Sequence, residues 1–189
     1  MPQALKRGLL GLAVLVVSVL APNGAVGAED LPAYDQHVMT SLALLDTSSA
    51  TDQLHQVLDS QRISVRFVQM TPGVYARYSV ARHVIEVDQR WADIDDATLA
   101  AVIAHEATHA QDAVGGALAS GGASACIGSE IRAFRTAALF WLDVHGRSGK
   151  AEPLNELEYQ LNSIADLQLR DPASLEQLVR QTYSQQCNH

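Results

Sequence analysis

Residues 99–115 read LAAVIAHEATHAQDAVG, and their centre is His105-Glu106-Ala107-Thr108-His109. Histidines four residues apart lie on one face of an α-helix, about one turn apart, so both rings can bind a single metal ion. The glutamate after the first histidine then lies beside the metal and not on it. This HExxH pattern predicts one Zn²⁺ held by His105 and His109.

The residues around this pattern predict a helix with a face in the protein core. Asp95 or Asp96 can cap its start, and Gly115-Gly116 can end it. Apolar side chains recur with helical spacing on the face away from the histidines, namely Leu99, Val102, Ile103, Ala107, Ala110 and Val114.

The chemistry of the pattern indicates hydrolysis. Zinc activates water for attack on a polarised carbonyl, and a nearby carboxylate can take the proton. We therefore predict Glu106 as the general base. A catalytic zinc has three protein ligands, so one must come from elsewhere in the chain. Glu130, within Ser129-Glu130-Ile131-Arg132-Ala133, is the leading candidate.

In these features the sequence resembles the gluzincin branch of the zincin metallopeptidases, over roughly residues 80–145. Gluzincins combine HExxH with a glutamate ligand on a later helix, often in an ExxA context, and Glu130 and Ala133 fit that context. The resemblance implies a minimal zincin-type α+β domain, one zinc ion and cleavage of a peptide or protein substrate. Several gluzincins carry an aspartate four residues after the glutamate. Phe134 stands there, which implies different support for the histidines.

Ahead of the metal helix the apolar period changes to two, between Ile63 and Trp91. This pattern predicts three short strands, which we expect to form a small antiparallel sheet followed by helices. Residues 83–88 are either the edge strand beside the cleft or an interior strand. In the zincins that the chain resembles, peptide substrate lies along such an edge.

The first 28 residues have the features of a secretory signal peptide. Lys6 and Arg7 precede an apolar run from Leu9 to Leu20, and small residues lead to Ala28. The alternative, an uncleaved membrane anchor, is disfavoured because the run is shorter than the roughly 20 residues that span a bilayer. We expect a single exported domain over 29–189, without stable membrane insertion.

Composition excludes one class of partner. The chain has 13 Lys+Arg against 21 Asp+Glu, a net charge of −8, and the predicted signal peptide would remove two of the basic residues. Nucleic-acid binding requires clustered Lys and Arg, so no nucleic-acid partner is expected.

The two cysteines, Cys126 and Cys187, allow two interpretations. In an oxidising compartment they would pair, and the bridge would tie the C-terminal tail to the helix of Glu130. Alternatively, Cys126 is a thiolate zinc ligand and Cys187 is free. The chain would then hold a structural zinc with four protein ligands.

Several roles in the site stay open at this level. Asp112 could orient a histidine by accepting its free N–H, or could be solvated. Candidates for stabilising the oxyanion of amide hydrolysis are His145, Asp143, Tyr159 and Tyr183. The alternative function is an inactive zinc- or peptide-binding module with a zincin-like fold.

Overall fold

The computed structural model describes residues 35–118 and 121–188, so the predicted signal peptide lies outside the described residues. Within these ranges the chain forms six α-helices and three β-strands, which confirms the α+β fold class. They are α1 (Gln36–Leu45), α2 (Leu54–Ser60), β1 (Ser64–Val68), β2 (Ala76–Ser79), β3 (Val84–Asp88), α3 (Asp96–Val114), α4 (Gly122–His145), α5 (Glu156–Arg170) and α6 (Pro172–Tyr183). In these two segments, no helix combines the length and the apolar character needed to cross a membrane.

The sheet is mixed, with strand order β1-β3-β2. Ile85 of β3 pairs with Tyr78 of β2 in an antiparallel ladder and with Val65 of β1 in a parallel one. The predicted antiparallel arrangement is therefore correct for β2 and β3 and wrong for β1. Alternation of apolar residues determines which side chains face the core, but it does not determine strand direction.

β3 is the central strand, so the interpretation of residues 83–88 as an edge strand is wrong. All five of its residues are buried, including the polar Glu86 and Asp88. β2 is instead the edge strand that borders α3. The physical cause is the chain path, since β3 turns back from β2 and enters the space between β2 and β1.

Helix α3, which carries His105 and His109, lies at the centre of the fold, in contact with α1, α2, α4 and β2. Its N-cap is Asp95, whose carboxylate accepts a hydrogen bond from the Thr98 backbone N–H at 3.1 Å and another from the Thr98 hydroxyl at 2.7 Å. The last residue of the helix is Val114, and Gly115 is its C-cap, as predicted. Most of its side chains are buried, so His105 and His109 point into packed protein.

The C-terminal half packs on α3 through α4, which also contacts α5 and α6. Ala133 of α4 is fully buried. Cys126 and Cys187 form a disulfide with a Cα–Cα distance of 5.6 Å, which confirms the predicted pairing. The alternative role of Cys126 as a zinc ligand is wrong, because its sulfur is bonded to Cys187.

Candidate metal centre

Two neighbouring helices bring the three predicted ligands together. His105 and His109 project from α3, and Glu130 projects from α4. The two histidine Nε2 atoms are 3.3 Å apart, and each lies 3.7 Å from an oxygen of Glu130. One possible ligand atom from each of the three residues can be chosen so that all three atoms lie within 4.8 Å of one another. This group can bind a metal ion.

The spacing agrees with a tetrahedral ion. Nitrogen and oxygen ligands at 2.0–2.2 Å from a tetrahedral zinc lie about 3.3–3.6 Å from each other. The two Nε2 atoms have this separation, at 3.3 Å, and the carboxylate of Glu130 lies 3.7 Å from each of them, through Oε2 towards His105 and Oε1 towards His109. Imidazole nitrogens with one carboxylate are donors that suit zinc, although they also suit other transition metals.

The histidines are buried in the neutral form that metal binding requires. Desolvation lowers the pKa of His105 to about 3, and it lowers the pKa of His109 to about 4. Both rings therefore keep an unprotonated nitrogen at neutral pH. Neutral imidazole is the form that coordinates a metal, so neither ring must lose a proton before binding.

The pKa values of the two carboxyl groups at the site, Glu106 and Glu130, are raised by burial. Burial raises the pKa of Glu130 to about 7. Burial, followed by the charge of Glu130, raises the pKa of Glu106 well above its ordinary value. Two buried carboxylates that repel each other are stabilised by a cation between or beside them.

Unpartnered oxygens support the same conclusion. Among the described residues, both carboxylate oxygens of Glu106 and Oε2 of Glu130 are buried without a hydrogen-bond partner of good geometry. Leaving such groups unsatisfied is costly, and native proteins rarely do so without a bound group nearby. The residues present therefore fit a metal ion on Glu130 and a polar reactant beside Glu106.

Glu106 faces the sheet as well as the ligands. The Tyr75 carbonyl accepts a hydrogen bond from the Asp88 N–H at 2.8 Å. Because hydrogen-bonded positions alternate along antiparallel strands, the main-chain groups of Tyr78 point away from β3. They point towards α3, where the Tyr78 backbone acts to lower the pKa of Glu106. The strand beside the general-base candidate is therefore β2.

A chain of hydrogen bonds holds His109. Its Nδ1 lies 2.8 Å from the Ser129 hydroxyl, which donates to Asp112 at 2.6 Å. Since Ser129 gives its proton to the carboxylate, it accepts from His109 Nδ1–H, and Nε2 is left free for a metal. Arg132 donates to both Asp112 oxygens, at 2.9 Å each. Asp112 thus orients His109 through Ser129, not by direct contact.

Ser129 was not identified as functional from the sequence, although it directly precedes Glu130. Two pairs of neighbouring positions, one pair on each helix, could have indicated this role. Asp112 is one turn after His109 on α3, and Ser129 adjoins the third ligand on α4. Helices that share a metal ion bring such neighbours together, so a small hydroxyl residue beside the ligand glutamate was a candidate to support a histidine.

Phe134 contacts the other histidine. Its ring meets His105 edge-on, with centroids 4.5 Å apart and an interplanar angle of 78°. This is the position at which the gluzincin resemblance would place an aspartate. An aromatic ring therefore holds His105 by packing where a carboxylate would hold it by hydrogen bonding.

Of the four candidates for oxyanion stabilisation, Tyr183 lies at the site. It is 1% exposed, and its ring packs against Phe134 with centroids 5.7 Å apart. Burial, together with the charges of Glu130 and Glu106, raises the pKa of Tyr183 well above its ordinary value. The phenol therefore stays protonated and can donate a hydrogen bond.

The other three candidates have contacts elsewhere. His145 packs on Trp141 at 4.1 Å between ring centroids. Asp143 accepts a hydrogen bond from Ser48, and Tyr159 is 61% exposed. None of the three belongs to the group around the ligands.

An apolar cavity of about 60 Å³ adjoins the site and is partly open to solvent. His105 and Glu106 form part of its wall, and β2, α3, α4 and α5 enclose it. The remaining walls are mostly small or aliphatic side chains, among them Ala101, Val102, Ala137, Leu157, Leu161 and Ile164.

The centre thus combines two neutral imidazoles with the carboxylate of Glu130, and the carboxylate of Glu106 lies outside this group. Its donor set can hold a metal ion, and an apolar cavity opens beside it. No protein family matches this chain, and neither curated proteins nor solved structures show significant similarity to it.

Proposed function

We propose that this protein is a zinc-dependent peptidase in which His105, His109 and Glu130 hold the metal and Glu106 is the general base. The observation that carries the proposal is the close grouping of His105, His109 and Glu130, whose ligand atoms lie within 4.8 Å of one another, with the buried carboxylate of Glu106 alongside. A structural zinc site closes four protein ligands, whereas a catalytic site has three.

The number of ligands favours catalysis over a purely structural metal. Within the described segments the group contains three residues, and Cys126, the alternative fourth ligand, is bonded to Cys187. When bound, zinc supplies a Lewis acid that polarises a carbonyl and makes water a better nucleophile. The remaining tasks fall to side chains of this chain.

Glu106 has the properties of a base for this reaction. Its carboxylate is beside the proposed ligands, and burial raises its pKa well above the ordinary value, which makes the ionised carboxylate a stronger proton acceptor. We assign it two steps, taking a proton from the attacking water and delivering it to the leaving amine. The Tyr183 hydroxyl, near both carboxylates, is the proposed donor to the developing oxyanion.

The test compares zinc binding with turnover. Purified protein is analysed for zinc and assayed against a denatured protein substrate, with and without a chelator, and again after zinc is restored. We expect one zinc per chain and hydrolysis that disappears with the chelator. Bound zinc without any hydrolysis would contradict the peptidase and favour a zinc- or peptide-binding module.

Two substitutions separate the general base from the ligands. Glu106→Gln should keep the zinc and reduce hydrolysis by about 10²-fold or more, because a glutamine cannot accept the proton. Glu130→Ala should lose zinc. The control Glu152→Gln alters an exposed glutamate in the loop between α4 and α5 and should change neither. Full activity of the Glu106→Gln variant would show that Glu106 is not the general base.

A further inference from the structure

We propose that the apolar cavity beside His105 and Glu106 is a specificity pocket, and that it selects substrates with a branched aliphatic side chain, such as valine or leucine, next to the cleaved bond. This inference rests on the proposed peptidase function and adds the class of substrate. Its grounds are the position, size and polarity of the cavity.

The position links the cavity to the reacting centre. Ala101 and Val102 lie one helical turn before His105 and Glu106, and all four residues line the cavity. A group that binds at the metal ligands can therefore extend one side chain along α3 into the cavity without leaving the site. Ala76 of β2 forms the wall on the side of the sheet.

The size limits what can enter. A cavity of about 150 Å³ holds one benzene ring. This cavity, at about 60 Å³, is too small for an aromatic side chain and suits three or four carbon atoms. Leu161 and Ile164 are 5% and 2% exposed and are packed in the core, so these walls have little room to move.

The apolar walls of the cavity also select against charged side chains. Most lining side chains are hydrocarbon, and the buried Gln160 donates a hydrogen bond to the Tyr75 hydroxyl at 3.0 Å. A charged side chain would lose its water here and would find few polar partners on the walls. Desolvation of an ion is costly, so charged side chains are disfavoured.

A peptide series tests the proposal. One peptide is varied only at the residues on each side of the cleaved bond, which carry alanine, valine, leucine, phenylalanine, aspartate or lysine in turn. We expect kcat/KM to be highest for valine or leucine at one of the two positions, by about 10-fold or more over phenylalanine, aspartate and lysine. A preference for phenylalanine would overturn the proposal.

Two cavity variants make the test specific to this pocket. Ala137→Leu fills the cavity and should lower kcat/KM for the leucine peptide by about 10-fold or more, with less effect on the alanine peptide. Leu161→Ala enlarges it and should raise kcat/KM for phenylalanine relative to valine. Because the two predicted changes in preference are opposite, simple misfolding cannot produce both.

Zinc content and thermal unfolding are measured for each variant, so that loss of fold is seen directly. Hydrolysis whose preference neither variant changes would overturn the pocket and leave the peptidase standing. No hydrolysis of any peptide by the zinc-loaded wild-type protein would overturn both.

Discussion

Ser129 is positioned to orient His109, one of the proposed metal ligands, without being a ligand itself. It accepts from His109 and donates to Asp112, so it determines which nitrogen of His109 carries the proton. Arg132 fixes the carboxylate in turn, through two hydrogen bonds of 2.9 Å. The order Arg132, Asp112, Ser129, His109 leaves Nε2 directed at Glu130.

Replacing Ser129 with alanine should therefore weaken zinc binding by about 10- to 100-fold, which is the usual effect of removing a partner of a metal-bound histidine. The measurement is a competition titration against a zinc chelator of known affinity. Ser124→Ala is the matched control, because Ser124 lies on the same helix and is exposed. Equal affinity in the two variants would show that His109 needs no such partner.

At the scale of single residues, the sequence predicted the three side chains that the fold brings together as a possible metal site, and it did not predict the residues that support them. Histidines four apart on a helix are neighbours whatever the rest of the fold does, so their spacing alone was informative. The contact between His109 and Ser129 joins residues 20 positions apart on different helices. Its existence depends on the rotation and offset of α4 against α3, which no local pattern contains.

The disulfide acts at the scale of elements. Cys126 is one turn before Glu130 on α4, and Cys187 is four residues after Tyr183, so one covalent bond fastens the tail of the chain to the ligand helix. The bridge links residues separated by 61 positions. A closed loop of that length restricts the unfolded chain considerably.

We predict that the double substitution Cys126→Ser with Cys187→Ser lowers the free energy of unfolding by about 4 kcal/mol, in the chain-entropy account of disulfides. Urea unfolding of the two proteins, followed by circular dichroism, measures the difference. Wild-type protein kept reduced should resemble the double variant. Unchanged stability in both would mean that packing of α6 on α4 holds the tail without the bond.

The strands illustrate what remains ambiguous at this scale. The alternation in residues 83–88 fits an edge or an interior strand equally well, and only the pairing partners distinguish them. β3 has β1 on one side and β2 on the other, and its outward-facing Glu86 is covered by arginines from both neighbours. Burial of that glutamate is therefore a consequence of sheet order.

At the scale of the whole molecule, the ionisation of Glu86 makes the stability of the fold depend on pH in the acid range. Its oxygens accept hydrogen bonds from Arg66 at 2.6 Å, Arg77 at 2.7 Å and Arg82 at 2.9 Å. Burial alone would raise the pKa of Glu86, but the hydrogen bonds and charges of the three guanidinium groups outweigh it, so the pKa is lowered. Ionised Glu86 thus stabilises the fold.

A carboxylate with a lowered pKa in the folded state stabilises fully above its unfolded pKa, about 4.5, and this stabilisation is lost as pH falls through the folded value. We predict that Glu86→Gln is less stable than wild type at neutral pH, by about 2 kcal/mol, and that the gap narrows towards pH 3. Urea unfolding across this range measures the gap.

Wild type and Glu86→Gln share all their other titrating groups. The contributions of those groups to the pH dependence therefore largely cancel in the difference between the two free energies of unfolding. Glu152→Gln, in an exposed loop, is the control and should follow wild type throughout. A gap for Glu86→Gln that stays constant between neutral pH and about pH 3 would contradict the assignment of the three arginines as the cause.

The sequence by itself determined the features that depend on local spacing. These are the helix of the HExxH pattern with its cap and its end, the pair of histidines on one face, the change of period that predicts the strands, and a pair of cysteines able to form a disulfide. Each follows from a repeat of 3.6 or 2 residues, or from the residue types alone, so no knowledge of distant contacts was needed.

Only the tertiary structure decided how these parts meet. It set the parallel pairing of β1, the central place of β3, the hydroxyl of Ser129 against His109, the nearness of Tyr183 to two carboxylates and the size of the apolar cavity. All of these depend on the packing of elements that are far apart in the chain. Packing is fixed by the fit of whole surfaces, which a local pattern of residues does not specify.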